Sequence, residues 1–380
     1  MIYLDNNATT RLYQKVFHKQ CEVLNKFFGN PSSMYPAGVD VKSLIEIARK
    51  QLASFINADL LGGDKILFTS CATESNNAVL HSAMHPTCTG KHIIISAVEH
   101  PAISAAADYY KSLGCKVTYI GVDTNGDLKL EDLVSSITDE TVLVSIMYVN
   151  SETGVIYDVR RIVHAVKSIR ENIIVHTDAV QAAGKIPIDV IDLGVDMLTL
   201  SGHKFHAPKG VGMLYIKRGI PFVPFLLGGH QESSLRAGTE NTAAIVAMGE
   251  AARIAQDELT SGTVAKIKRL RDFMEHRLKE TFPESLIFGE STSRVCNTTN
   301  IGFKNITGYK LVLQLARRGI FVSSGTACNS ENVRPSTVLM AMNAPSDYIS
   351  SIRISLDSHN SESDIIELIS ALEDIIERRI

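Results

Sequence analysis

The sequence predicts an α/β protein built on a largely parallel sheet, and two observations carry this. Short apolar runs recur at residues 66–69, 92–96, 116–120, 142–149, 173–177, 197–200 and 212–216. Helical patterns, for example at 102–113, 128–137 and 160–170, fill most of the gaps between them. Apolar strands alternating with helices indicate a sheet covered on both faces, with ligands at the carboxyl ends of the strands. The 380 residues exceed what one simple core holds, so a second, smaller domain is expected.

Along the chain, Tyr3-Leu-Asp-Asn-Asn-Ala-Thr-Thr10 is a short strand running into a turn rich in Asn and Thr. Gly29-Asn-Pro-Ser-Ser33 is irregular and polar. A helix from about 39 to 56 places Val41, Leu44, Ile45, Ala48, Leu52 and Phe55 on one face. The seven apolar runs follow. Two long helices at 242–259 and 265–282 then lead into a different pattern: a strand at 294–303, a helix at 307–317 and a strand at 320–324. The last helix, 361–378, opens with Ser361-Glu-Ser-Asp364, a capping box with Asp in the Glu position. This divides the chain into a large domain, 16–258, and a smaller α+β domain made of 1–15 and 259–380.

The formal net charge of −3 points to neither a nucleic-acid nor an anionic-membrane partner. No apolar run approaches the roughly 18 residues of a membrane span. Met1-Ile-Tyr-Leu-Asp-Asn-Asn lacks the basic and apolar regions of a secretory signal, so none is expected. The six cysteines are scattered without a CxxC pair, which argues against a zinc site or a disulfide framework. A reducing cytoplasm and no metal are expected, with Cys21, Cys71, Cys88, Cys115 and Cys296 acting as small hydrophobes. Cys328 differs, because it lies among small polar residues in Ser323-Ser-Gly-Thr-Ala-Cys328-Asn-Ser330.

The chemistry centres on Ser201-Gly-His-Lys-Phe-His-Ala-Pro-Lys-Gly210, a polar loop between two apolar runs. A lysine there can be desolvated, which lowers its pKa and makes its amine nucleophilic toward a carbonyl. His176-Thr-Asp178-Ala-Val-Gln181 puts an acid at the end of the preceding run. A carboxylate buried there needs a cationic partner, and a protonated pyridine nitrogen would supply one. Ser70-Cys-Ala-Thr-Glu-Ser75 follows the first run and opens a helix, where free N–H groups and hydroxyls suit a phosphate; taken singly, Thr73 and Ser75 are ordinary helix caps. Acid, lysine and phosphate cradle on one sheet edge make the arrangement that pyridoxal 5′-phosphate requires. His100, in Glu99-His-Pro101, either faces a cofactor or caps the next helix, and Arg353 could meet a substrate carboxylate.

Together these motifs resemble the cysteine desulfurase family, pyridoxal phosphate enzymes of fold type I, over essentially the whole chain. The matching stretches, in order, begin with Tyr3–Thr10, Gly29–Ser33, Ala72-Thr-Glu-Ser-Asn76 and Glu99-His100. They continue with Asp178-Ala-Val-Gln181, Ser201-Gly-His-Lys204, Arg236-Ala-Gly-Thr-Glu-Asn241 and residues 323–328. The wording of residues 203–210, with Gly228-Gly-His-Gln-Glu232, resembles the NifS type, with the IscS type close behind. The resemblance implies a large domain with a seven-stranded, mainly parallel sheet.

It also implies roles. Lys204 attaches the cofactor and later moves the α-proton, Asp178 pairs with the pyridinium nitrogen, and His100 stacks on the ring. Asn150 and Gln181 hold the side of the phenolic oxygen, with Asn150 also near the substrate. Ala72, Thr73, Ser201 and His203 hold the phosphate, and Thr239 reaches it from the neighbouring subunit of a homodimer. Arg353 takes the carboxylate of L-cysteine, and Cys328 accepts the sulfur as a persulfide. L-Alanine is the other product. The implied acceptor is a scaffold for iron–sulfur clusters or another sulfur-accepting protein. A selenocysteine lyase or a cysteine C–S lyase of the same fold is the alternative, and an aminotransferase would have no use for the thiol. Cys71, Ser151, Thr326, Arg334 and Asp357 depart from the family pattern.

Overall fold

The computed structural model describes residues 1–324 and 336–377 in full, and the backbone alone at 328–329 and 332–333. Strand β1 (Ile2–Tyr3) is followed by helices α1 (Gln14–Lys26) and α2 (Pro36–Phe55). Next come β2 (Lys65–Thr69), α3 (Ala72–Met84), β3 (His92–Ser96), α4 (Pro101–Ser112) and β4 (Lys116–Ile120). The alternation continues through α5 (Leu130–Ser135), β5 (Thr141–Ser145), α6 (Val159–Ile169) and β6 (Ile174–Asp178). It ends with α7 (Val190–Leu193), β7 (Met197–Ser201) and β8 (Gly212–Ile216).

Seven strands form one sheet in the order β2-β8-β7-β6-β5-β3-β4, and β8 alone runs against its neighbours. This is the seven-stranded, mainly parallel sheet that the resemblance implies. Side chains alternate between two apolar layers: Ile66, Phe68 and Ile94 pack on one face, Leu67, Ile93 and Ile95 on the other. Burial on both faces explains why β3, β7 and β8 have no exposed residue. Helix α6 shows how the cover forms, since Val159, Ile162, Val163 and Val166 make a buried stripe at helical spacing. Its start is fixed by the Asp158 carboxylate, which accepts from the Arg161 N–H at 3.0 Å.

Helices α8 (Thr242–Thr260) and α9 (Thr263–Thr281) lead to β9 (Leu286–Ile287), β10 (Thr298–Gly302) and α10 (Gly308–Arg317). There follow β11 (Ile320–Phe321), β12 (Ser323–Ser324), β13 (Cys328–Asn329) and β14 (Asn332–Val333). Helix α11 (Thr337–Ala341), β15 (Ile352–Ser355) and α12 (Glu362–Glu377) complete the chain. The antiparallel sheet β12-β15-β10-β9 rests on its own cluster, which includes Leu4, Met274, Ile301, Leu315, Ile354 and Leu372. Strand β1 joins this part by pairing with β11. No helix among the described residues is long and apolar enough to cross a membrane.

The capping box of α12 forms, with Ser361 N–H donating to Asp364 at 3.0 Å and Asp364 N–H donating to Ser361 Oγ at 3.4 Å. Other expectations change. The run at 142–149 is regular strand only to Ser145, although the N–H groups of Ile146 and Tyr148 still reach β6 carbonyls. The strand expected from 294 begins at Thr298, because Arg294 is drawn into a bridge with Val155 and an ion pair with Glu275. The run at 320–324 splits into β11 and β12, which join different sheets. Helix α1 was not evident in the sequence: its fully buried residues are only Val16 and Val23.

Candidate active site

At the carboxyl ends of β2, β6 and β7 lies a cavity of about 260 Å³. Ala72, Thr73, His100 and Asp178 line it, as do Gln181, Ser201, His203, Lys204 and Arg353. The side chain of Cys328 and the whole of Thr326 and Arg334 lie outside the described residues.

Lys204 ends a single 3₁₀ turn, Gly202–Lys204, directly after β7. Its Nζ donates to the carbonyls of Asn7 at 2.6 Å and Ala8 at 2.9 Å. Burial and the nearby Arg353 cation push its pKa down to about 8, against the pull of Asp178 and Asp5. The same N-terminal turn holds the loop at His203, whose Nδ1 lies 3.2 Å from Thr9 Oγ1. Burial and the cations Lys204 and Lys209 push His203 down to about 4, so its ring is neutral at pH 7.

Asp178 ends β6, where its Oδ2 accepts from Asn76 Nδ2 at 2.8 Å and its Oδ1 from the Val180 N–H at 3.0 Å. His100 is the N-cap of α4, as one sequence reading has it, and it also lines the cavity. Its Nδ1 accepts from the Ala102 N–H at 3.1 Å, which leaves the proton of the neutral ring on Nε2. Protein packed behind the ring lowers its pKa by desolvation, with Asp178 opposing and Lys204 adding to the effect. Buried Glu99 accepts from Ser96 Oγ at 2.6 Å and from the Met147 N–H at 2.8 Å, and burial pushes its carboxyl up to about 8.

Helix α3 begins at the cavity wall, and Cys71 at its N-cap makes no side-chain cap bond. Ala72 and Thr73 therefore offer the positive end of a 13-residue helix. Strand β8 starts directly beneath: a Cβ on Gly212 would lie 2.7 Å from the Cys71 carbonyl carbon, so this approach requires glycine. Glu74 in the first turn accepts from Arg236 at 2.8 and 3.1 Å and from the Ser70 N–H at 2.7 Å. Burial opposes its ionisation, but Arg236 and Ser70 outweigh it and hold the carboxyl below its usual range.

Arg353, on β15, donates from Nη2 to Asp5 at 2.7 Å and from Nη1 to the Ser151 carbonyl at 3.1 Å. Its buried Nε has no partner among the described residues. Gln181 donates from Nε2 to the Asn7 carbonyl at 3.0 Å and accepts from Lys185 at 3.1 Å.

Two expected residues are not brought to the cavity. Asn150 is fully buried, and its Oδ1 accepts from the N–H groups of Glu152 and Thr153 at 2.9 and 3.0 Å, which commits it to the following turn. Thr239 is exposed on the surface of its own chain. The core reading of five cysteines holds for buried Cys115 and Cys296, whereas Cys21, Cys71 and Cys88 are half-buried and Cys71 lines the cavity. Sequence reasoning passed over Asn7, Asn76, Glu99 and Lys185; the first three stand inside noted motifs, but nothing in the sequence marks Lys185.

The donor set fits pyridoxal phosphate. A helix N-terminus with the Thr73 and Ser201 hydroxyls suits a dianion, a desolvated amine stands beside it, and Asp178 offers a carboxylate to a ring cation. Arg353 Nε and Asn76 Oδ1, in two residues that line the cavity, are buried polar atoms without a partner among the described residues.

The sequence profile of Aminotransferase class-V matches residues 2–368. Cysteine desulfurase 2 of Trichormus variabilis is 44% identical over 379 residues, covering 100% of this chain and 94% of that protein. The cysteine desulfurase NifS of Azotobacter vinelandii is 39% identical over 376 residues, covering 99% and 92%. A solved NifS-like protein superposes with a TM-score of 0.92 at 35% identity, covering 99% of both chains. A NifS-like protein from Rickettsia africae gives 0.89 at 34%, again with 99% of both chains covered.

Proposed function

The chain belongs to the class-V aminotransferase family, and from that premise we propose that it is a pyridoxal-phosphate-dependent cysteine desulfurase of the sulfurtransferase type. It takes sulfur from L-cysteine, releases L-alanine and holds the sulfur as a persulfide on Cys328. The observation that carries this reading is a single cavity joining Lys204, Asp178, the α3 cradle and Arg353.

Bound there, pyridoxal phosphate supplies an electron sink for the carbanion left when an amino acid loses its α-proton. Ala72, Thr73, Ser201 and His203 would hold its phosphate, Asp178 would pair with the ring nitrogen, and His100 would lie against the ring. Lys204 would attach it. With a pKa near 8, about a tenth of Lys204 is free amine at pH 7, enough to attack a carbonyl and later to carry the α-proton on Nζ. Asn76 and the Val180 N–H hold the Asp178 carboxylate and aim it. Arg353, braced by Asp5 and Ser151, keeps Nε for the substrate carboxylate. In the sulfur step the Cys328 thiolate bonds to the substrate sulfur as the Cβ–S bond breaks. The bonding pair stays with carbon, which gains a proton and leaves as alanine.

Asn150 does not line the cavity and supports the turn that carries Ser151. Thr239, exposed on its own chain, suits a homodimer in which it reaches the phosphate bound by the second copy. The separate cluster around Leu4, Met274 and Ile354 supports a smaller domain of 1–15 with 259–380 beside 16–258, with Phe288, Val295, Val338, Leu339 and Met342 packed on the larger core. The sulfur then passes to a protein that assembles iron–sulfur clusters, in the cytoplasm. The test is product identity: purified protein with added pyridoxal phosphate should give alanine from L-cysteine. Pyruvate and ammonia would assign it as a C–S lyase, and activity confined to selenocysteine as a selenocysteine lyase.

A further inference from the structure

Behind Gln181 the chain buries a second lysine that the reading above does not use. Lys185 is 8% exposed, and its Nζ donates to Gln181 Oε1 at 3.1 Å. It borders a small cavity of about 40 Å³, separate from the main one, whose wall also includes Lys204 and His206. The charged and titratable groups that act on it are Cys296, Lys204 and Arg353, with His206 beside them. Glu258 and Asp357 line the same small cavity, but among the described residues neither forms an ion pair with Lys185. An unpaired buried amine is costly, and an apolar side chain of similar length would fill the slot without that cost. Its hydrogen bond is what the amine adds.

Gln181 is the residue on which that bond acts. It is 5% exposed and lines the main cavity. The two ends of a carboxamide have nearly the same shape, so partners decide which way it points. Here Lys185 donates to the oxygen, while the Asn7 carbonyl accepts from the nitrogen at 3.0 Å. The Asn7 carbonyl also takes Lys204 at 2.6 Å, so it alone does not reserve the amide. We propose that Lys185 is a positioning residue for the cofactor: its bond to Gln181 Oε1 turns the Gln181 N–H edge toward the cavity and the cofactor's ring oxygen. This rests on the pyridoxal phosphate reading of the site. Donation to Oε1 also polarises the amide and strengthens what its N–H groups give. A stronger donor favours the deprotonated ring oxygen, so Lys185 lowers the pH at which the bound chromophore titrates.

The test is a spectrophotometric pH titration of the holoprotein for wild type, Lys185→Met, Lys185→Arg and Gln181→Met. Lys185→Met should raise the midpoint of the absorbance change by about one unit, a tenfold change in the proton equilibrium. Lys185→Arg should return it toward wild type. If methionine does not fold there, Lys185→Gln, which removes the charge but keeps a donor, should give a smaller rise. The double variant Lys185→Met with Gln181→Met should match Gln181→Met alone. An unchanged midpoint in the folded Lys185 variants, or additive shifts in the double variant, overturns the proposal. Failure of wild type to develop any cofactor band would instead overturn the reading of the site on which the proposal rests.

Discussion

Lys204 Nζ lies 2.6 Å from the carbonyl oxygen of Asn7, so the loop after β7 is closed by the first turn of the chain. That turn is itself held from the smaller core, since the Asn7 N–H donates to Ser355 Oγ at 2.9 Å and Asn7 Nδ2 to Thr298 Oγ1 at 2.8 Å. The amine is thus buried between two hydrophobic units rather than within one. This burial is the largest cause of its lowered pKa.

Uptake of pyridoxal phosphate by the cofactor-free protein should follow the free amine of Lys204. Its pKa is lowered to about 8, so deprotonation rises through that pH. The second-order rate constant should climb about tenfold per unit below pH 8 and level off above it. A lysine at its ordinary value would still be climbing at pH 9.5.

Asn76→Ala removes the side-chain donor to Asp178 Oδ2 and leaves the Val180 N–H in place. A hydrogen bond to a charged group contributes about 1.5–3 kcal/mol, so turnover or cofactor affinity should fall about ten- to a hundredfold. Kinetics and cofactor titration on one preparation measure both.

Arg353→Lys keeps a cation but loses the free Nε and the fork that grips Asp5 and Ser151. The KM for L-cysteine should rise at least about tenfold while the cofactor stays bound, because a lost charge-assisted bond is worth about 1.5–3 kcal/mol. An unchanged KM would remove Arg353 from substrate binding.

Glu232, Ser233 and Ser234 are three successive residues in the left-handed region, with φ of 46°, 57° and 65°. Each costs about 1–3 kcal/mol unless its surroundings enforce it. Arg49 does so, with both terminal nitrogens 2.8 Å from the Glu232 carboxylate, which also accepts from the Phe68 N–H at 2.9 Å. Arg49→Met leaves that carboxylate buried with its cation gone, so unfolding in urea should show a loss of about 3–5 kcal/mol. Because the segment leads into the loop bearing Thr239, cofactor affinity should weaken as well.

The parts of the site that stand at strand ends were legible in the sequence, because an apolar run announces where Asp178 and Lys204 emerge. Ala72 and Thr73 were legible for the same reason, at the turn from β2 into α3. Roles that depend on distant partners were not. Asn76 meets Asp178 across 102 residues, and the Asn7 carbonyl meets Lys204 across 197. Lys185 reads as an ordinary turn lysine until the fold buries it against Gln181. Asn150 differs from the place the resemblance implied: it does not line the cavity, and its oxygen is taken by its own turn. Helix α1 escaped notice because so little of it faces the core.

The most direct measurement is the release of alanine and sulfide from L-cysteine, with a reducing thiol present, by wild type and by Cys328→Ala. The account requires equal amounts of alanine and sulfide from wild type and neither from the variant, which should still bind the cofactor. Full sulfide release by Cys328→Ala, or pyruvate and ammonia in place of alanine, would contradict it.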